Sequence, residues 1–403
     1  MHNLDWFVLI FTLIIIVVYG TWKTRGAKTA NEYIKAGNEA KWWTIGLSVM
    51  ATQASAITFL STPGQAYNDG LGFVQFYFGL PIAIVLVCTI FIPVYHKLKV
   101  YTAYEFLESR FDLKTRSLTA LLFLIQRSLS ASITIFAPAI ILSTVLGWDL
   151  ITTNIIIGTL VIIYTVTGGT KAVNFTQKYQ MGIILIGLVI VLFTIFNLLP
   201  DDIDFNNAVK IASANSKMDV LNFSFDLDNR YTVWSGIIGG TFLMMSYFGT
   251  DQSQVQRYLS GKSLKEMQLG MIFNGIFKIP MQFFILFIGV MVFVFYQFNP
   301  SPLNFNPQGK IIISNTNYEN EYIQLEENLE NNFKEKTYIL NDVLSQDKMV
   351  VKGKIDKLNF EEKKIRDRAK LLIEKAAKEK NEKVETNDKD YVFINFILEN
   401  RPK

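Results

Sequence analysis

Long apolar runs alternate along the chain with short, polar, cation-rich segments. The runs fall near residues 4–20, 43–67, 72–95, 117–146, 150–167, 175–199, 232–250 and 267–298. Each approaches the ~20 residues that a helix needs to cross about 30 Å of hydrocarbon. The pattern predicts an all-α fold: a polytopic membrane helix bundle over residues 1–300. One run departs from the rest. Residues 43–67, WWTIGLSVMATQASAITFLSTPGQA, carry the small and polar string ATQASA at their centre. Hydrocarbon offers no hydrogen-bond partners, so such a break belongs against protein, water or a bound solute. Broken helices whose unwound carbonyls hold cations mark secondary transporters. Ala51, Ser55 and Ala56 also suit close helix packing, and the pattern alone leaves both readings open.

The last quarter changes character. Residues 301–390 are rich in Lys, Glu, Asp and Asn, with apolar positions at helical spacing. One stripe runs Ile323, Leu325, Leu329, Phe333, Ile339, Leu340, Val343 and Leu344. A second runs Leu358, Ile365, Ala369, Leu372, Ile373 and Ala376, with Gly353 between the two. This predicts a charged helical hairpin, placed by the loop arithmetic on the extracytoplasmic side, with a disordered charged loop as the other reading. Residues 391–403 open with YVFINFIL, which reads as the lead-in to a further span. The chain is therefore expected to be a fragment of a longer protein.

Composition supports the membrane reading, with half of the residues hydrophobic and 14% aromatic. The first run starts without a basic leader or a small-residue cleavage site, so it reads as a span and not as a signal peptide. Lys23, Arg25, Lys28, Lys35 and Lys41 follow the first run, and Lys97, Lys99, Arg110, Lys114 and Arg116 follow the third. The segment 200–230 on the alternate side is acidic. The positive-inside rule then predicts an outside N-terminus and a cell (plasma or inner) membrane protein. The net charge of +4 follows from this topology and points to no nucleic-acid partner. Cys88 cannot form an internal disulfide, and His2 and His96 do not make a metal site.

Three stretches carry a resemblance. GTDQSQVQRYLSGKSLKE (249–266) and YTVTGGTKAVNFTQKYQ (164–180) resemble motifs of the sodium:solute symporter family, and ITIFAPAIILSTVLG (133–147) resembles its iodide, monocarboxylate and vitamin anion branch. The resemblance implies a leucine-transporter fold. Its first inverted repeat and part of the second would lie here after one extra N-terminal span. Core helix 1 would be 43–67 and core helix 7 would be 267–298, with core helices 8 to 10 outside the chain. It further implies that the carbonyls of Ala51 and Ala54 supply half of a sodium site, sodium being a hard cation that prefers oxygen. Gln53, Ser55 and Thr58 would face the substrate cavity, and Tyr247 would be an inner gate. An interfacial aromatic is the other reading of Tyr247. Thr58 and Met244 stand where sugar-carrying relatives place Gln and Asn, which counts against a sugar. Gln177 replaces the family's usual acidic residue, which puts a second cation site in doubt.

Two cations fall inside apolar runs. Arg127, counted from Ser117 at about 1.5 Å per residue, lies about 15 Å deep. The spans offer no obvious carboxylate at that depth, so its partner would be an anionic solute, a carboxylate outside the chain or backbone carbonyls; a structural ion pair is the other reading of this residue. Lys278 lies nearer the cytoplasmic side, where it could reach the cavity or snorkel.

The expected function is sodium-coupled symport of a small organic solute, best an anion such as a monocarboxylate, by alternating access. No cofactor is expected beyond the coupling sodium ion. The partners are sodium, the solute and the bilayer. The alternatives are the sensor domain of a symporter-like signalling protein, and a channel. An enzyme is not expected, since no nucleophile–base pair, metal cluster or phosphate loop stands out.

Overall fold

The computed structural model describes residues 36–55, 57–146, 148–226, 228–343, 348–382 and 384–400, with scattered positions before 36. About half of the expected span at 4–20, and the cations between 23 and 35, lie outside the described residues, as does Ala56. The described elements are helical throughout. In order they are α1 (Trp42–Gln53), a π-turn (Ile57–Ser61), α2 (Thr62–Asp69), a 3-10 stretch (Gly70–Tyr77), α3 (Leu80–Leu86), a second π-turn (Val87–Phe91) and α4 (Ile92–Leu98). Then come α5 (Glu105–Arg110), α6 (Leu113–Leu146), α7 (Leu150–Leu198), α8 (Phe205–Ala214), a third π-turn (Ser235–Gly239), α9 (Gly240–Gly249), α10 (Gln252–Leu259) and α11 (Leu264–Phe298). The last elements are α12 (Pro307–Ile313), α13 (Glu319–Val343), α14 (Lys348–Glu379) and α15 (Lys389–Glu399). Four described stretches are long and apolar enough to cross a membrane: Ile57–Leu98, Leu113–Ile140, Tyr179–Leu198 and Leu264–Phe298.

Two expectations need correction. The runs 150–167 and 175–199 form one continuous helix, α7, of 49 residues. Glycine lowers helix propensity without ending a helix, and the Gly168–Gly169 pair has no proline beside it to stop one. At 1.5 Å per residue α7 exceeds two hydrocarbon thicknesses, about 60 Å. The second correction concerns Gly353, which sits inside α14 and not in a turn.

The chain divides into two compact units. The first comprises Met1–Ile57, Val74–Ile186 and Phe223–Gln282. Its core gathers Ile45, Val49, Leu80, Ile84, Ile92, Phe248, Val255, Tyr258 and Met271 from α1, α3, α4, α9, α10 and α11. Close backbone approach holds α9 to α3 and the residues before it. A Cβ on Gly236 would lie 2.0 Å from the Gln75 carbonyl oxygen, and one on Gly79 would lie 2.1 Å from the Thr241 nitrogen. Such small-residue contacts are the usual glue of membrane helices, where lipid is as apolar as leucine. Cys88, the sole cysteine, is buried in this core, and Gln268 donates from Nε2 to its carbonyl at 2.9 Å.

The second unit comprises Thr58–Phe73, Gly187–Asn222 and Phe283–Lys403. The α13–α14 pair is the expected hairpin. Leu329, Ala369, Leu372, Ile373 and Ala376 are buried together with Leu303, Ile312 and Ile313. Ile323, assigned to the stripe by its spacing, is exposed. The inward face of α13 instead runs through Tyr322, Leu329, Asn332, Lys336 and Leu340. It includes a lysine because Glu362 on α14 accepts from Lys336 Nζ at 3.2 Å. Arg366 Nε donates to the same carboxylate at 3.0 Å, and its other nitrogens bind the carbonyls of Pro302 and Leu303 and the Ser301 hydroxyl. The apolar string in 391–398 forms α15, which packs on α2 and buries Tyr391, Val392, Phe393 and Phe396.

Candidate functional site

α1 stops where the sequence predicts a break. Ala54 leaves the helix at φ −88° and ψ 76°, and Ala54 and Ser55 are non-helical. The Ala54 N–H turns back to the carbonyls of Met50 at 3.0 Å and Ala51 at 3.1 Å. Helix-end carbonyls lack their usual partner one turn on and are available to water, side chains or a cation. The Ala51 carbonyl already accepts from the Ala54 N–H, so a cation there would share that oxygen through its second lone pair. Ser48 and Thr52, earlier on α1, direct their hydroxyls at the Gln177 Oε1 of α7, at 3.3 and 3.4 Å. Gln177, read from sequence as a lost charge, is thus a hydrogen-bond acceptor that ties α7 to α1.

Gln53, the last helical residue, donates from Nε2 to Asn274 Oδ1 on α11 at 3.2 Å. Asn274 begins a polar stripe, with Lys278 and Gln282 following at four-residue spacing on the same face of α11. All three are essentially fully buried, at 0%, 1% and 0% exposure. Asn274 Nδ2 and both amide atoms of Gln282 have no hydrogen-bond partner among the described residues. The Lys278 ammonium lies 5.9 Å from the centre of the Tyr77 ring. No described carboxylate forms an ion pair with it. A buried ammonium and three orphaned amide atoms on one helix face form an unsatisfied polar surface of the kind that a polar or anionic solute would complete.

Arg127 falls elsewhere. Its Nη2 donates to both carboxylate oxygens of Asp251 at 2.9 Å and also contacts the Ser253 hydroxyl. Arg127 thus makes a structural ion pair, with a carboxylate inside the chain and not with one beyond it. Asp251 is not on a span; it caps the N-terminus of α10, where it also accepts from the Ser253 N–H. Arg127 is thus level with the turn between α9 and α10.

Tyr247, on α9, belongs to this second cluster. Its hydroxyl accepts from Gln254 Nε2 at 2.7 Å. Together with Gln126, Thr250 and Asp251 it lines a cavity of about 250 Å3. Tyr247 is half-buried, as either a gate or an interfacial ring would be. The structure therefore gathers Ala51, Gln53, Ala54 and Ser55 at the break, joins Lys278 to them through Asn274, and sets Arg127 and Tyr247 apart. Thr58 lies in the π-turn Ile57–Ser61 and belongs to the second unit. Sequence reading missed Asn274 and Gln282, although polar residues four apart in an apolar run were the available signal.

The Arg127–Asp251 pair is testable as a pair. Asp251→Asn and Arg127→Gln should each lower the melting temperature in detergent. The double variant should lose less than the sum, with a coupling of about 1 kcal/mol, because each single change strands the other partner. Strict additivity in that cycle would deny the pair a structural role.

Comparison with known proteins adds the following. The family model described as "Sodium:solute symporter family" matches residues 33–336. The human sodium/iodide cotransporter is 31% identical over 297 residues, covering 72% of this chain and 45% of that protein. Human sodium-coupled monocarboxylate transporter 1 is 33% identical over 259 residues, covering 64% of this chain and 42% of that protein. The chain thus spans under half the length of these relatives. A solved structure of a Na+-coupled sialic acid symporter, in a substrate-bound outward-open state, superposes with a TM-score of 0.66 at 24% identity, covering 99% of this chain and 80% of that one. The fold is therefore the all-helical, leucine-transporter type.

Proposed function

This chain belongs to the sodium:solute symporter family of multi-pass membrane transporters, not enzymes, and from that premise we propose that it forms part of a sodium-coupled symporter for a small anion. The coupling ion would sit on the carbonyls of Ala51 and Ala54, where α1 ends. The solute would meet Gln53 and Ser55, and its negative charge would face Lys278. One observation carries the anion: a fully buried lysine with no carboxylate paired to it among the described residues, on the face it shares with the orphaned amides of Asn274 and Gln282. The relatives named above carry iodide, monocarboxylates and sialic acid, which supports an anion as well. Pairing with Asp251 removes the argument for Arg127 as a solute ligand. Tyr247 remains the proposed inner gate, and the N-terminus is placed outside. The alternative is a sensor domain that binds the same solute without moving it.

The test is uptake into proteoliposomes holding the full-length protein. Uptake of a monocarboxylate should rise with an inward sodium gradient and not with potassium. Lys278→Met should reduce it at least tenfold while protein yield holds, because only the charge is lost and the aliphatic stem is kept. Sodium-independent uptake would sink the coupling. Unchanged anion uptake in Lys278→Met would remove Lys278 from the site. Solute binding without any uptake would favour the sensor.

A further inference from the structure

The first unit holds two adjoining cavities that the proposed transport does not use. One, of about 420 Å3, is lined by Ile90, Phe91, Val94, Phe106 and Leu107, with Tyr104 and Thr250 at its edge. Its size lies within the ~300–1,000 Å3 of ligand-holding clefts, and its wall is almost wholly apolar. The other, of about 360 Å3, is lined by Asn38, His96, Lys99, Tyr101 and Lys262 among others. Tyr95 lines both, so the two share a wall. An apolar slot next to a cationic cup is an amphipathic receptacle, and it lies where the chain's basic segments gather.

We propose that these two cavities together bind one anionic phospholipid, with an acyl chain in the apolar cavity and the phosphate headgroup in the Lys99–Lys262 cup. Several observations favour that occupant over a free anion or a neutral lipid. The cup is cationic: Lys99 and Lys262 border it, and Lys97 lies two residues before Lys99 in the last turn of α4. Basic pockets between membrane helices are the recurrent recognition device for acidic headgroups. Glu105 and Glu108 on α5 are both held by Arg116, with Arg116 Nη2 3.4 Å from Glu105, which offsets one of their two negative charges. A free phosphate would use the cup and leave the apolar cavity unexplained. The cup is built, too: Asn38 donates to the Leu259 carbonyl at 2.7 Å, and Lys262 N–H donates to the Ala40 carbonyl at 3.1 Å. Tyr104 and Thr250 line both the apolar slot and the cavity that holds Tyr247 and Asp251. A lipid seated here would therefore lie directly beside the proposed gate.

Native mass spectrometry of the detergent-solubilised full chain can decide. Dioleoyl phosphatidylglycerol should be retained at least fivefold more than dioleoyl phosphatidylcholine. The double variant Lys99→Gln/Lys262→Gln, which changes two exposed side chains, should bring the two lipids level. Dihexanoyl phosphatidylglycerol, too short to fill the slot, should be retained several-fold less than the dioleoyl form. A parallel thermal melt should show stabilisation by dioleoyl phosphatidylglycerol in the wild type and none in the double variant. Equal retention of both lipids by the wild type, or no loss in the double variant, would overturn the proposal. Displacement of the lipid by millimolar inorganic phosphate would overturn it as well, by making the site one for a free anion.

Discussion

Glu362→Gln should unfold the base of the α13–α14 hairpin at neutral pH. Glu362 is the one carboxylate shared by Lys336 and Arg366, at 3.2 and 3.0 Å. The lysine side chain is 4% exposed and the arginine 14%. Removing the carboxylate strands two buried cations beside each other. Loss of one partner from a buried ion pair costs about 3–5 kcal/mol, and the lower end applies because Glu362 itself is about a fifth exposed. The loss should appear in the full-length chain as faster hydrogen exchange across α13 and α14, with the membrane helices unchanged. The same group sets an acid limit. Burial alone would push its carboxyl up, but Lys336 and Arg366 outweigh burial and hold it at about 2. A depressed folded-state value contributes stability that is complete above the unfolded value near 4.3 and is lost as pH falls towards 2. Hairpin protection in the wild type should therefore decline between about pH 4.5 and pH 2. In Glu362→Gln the part of that decline that Glu362 supplies should vanish, leaving only the smaller contribution of exposed pairs such as Glu330–Lys334. A Gln variant as protected as wild type at pH 7 would mean that the network is ornamental.

Gly236→Ala should be nearly as damaging, for a different reason. A methyl group at Gly236 would sit 2.0 Å from the Gln75 carbonyl oxygen. Backbone, unlike a flexible side-chain end, cannot swing aside, so α9 has to part from the 3-10 stretch. Gly79 meets the Thr241 nitrogen in the same seam, and Thr241 Oγ1 donates to the Gly79 carbonyl at 3.3 Å. Overpacking typically costs 1–3 kcal/mol, and a backbone collision belongs at or above the top of that range. The monodisperse yield from detergent should fall by about tenfold or more. Gly158→Ala, where nothing lies within 4 Å of the added Cβ, is the control and should be tolerated. Equal yields from the two variants would show that the seam is looser than its geometry.

The break in α1 was legible because its signal is local: small and polar residues where lipid demands apolar ones. The hairpin was legible from its apolar spacing, yet its face came out rotated. Spacing marks only apolar residues, and the buried face of α13 includes Lys336 and Asn332 through partners on α14. The polar stripe on α11 could have been read, since Asn274, Lys278 and Gln282 repeat every four residues. The partner of Arg127 could not. Asp251 is 124 residues away in sequence and sits on a cap, so no count of depth along a single run would find it. The continuous course of α7 was hidden because the polar interval 168–174 separates two apolar runs, although its Gly168–Gly169 pair only weakens a helix and does not end one.

The position of Cys88 has a practical consequence. The only thiol in the chain is 6% exposed and packed among α3, α4 and α11. A bulky maleimide reagent cannot readily reach it, so these 403 residues already behave as a cysteine-free background. Single cysteines introduced at Ser55, Tyr247 or Lys262 would then report in isolation. Their labelling rates, with and without sodium, would follow the break, the proposed gate and the basic cup separately in otherwise native protein.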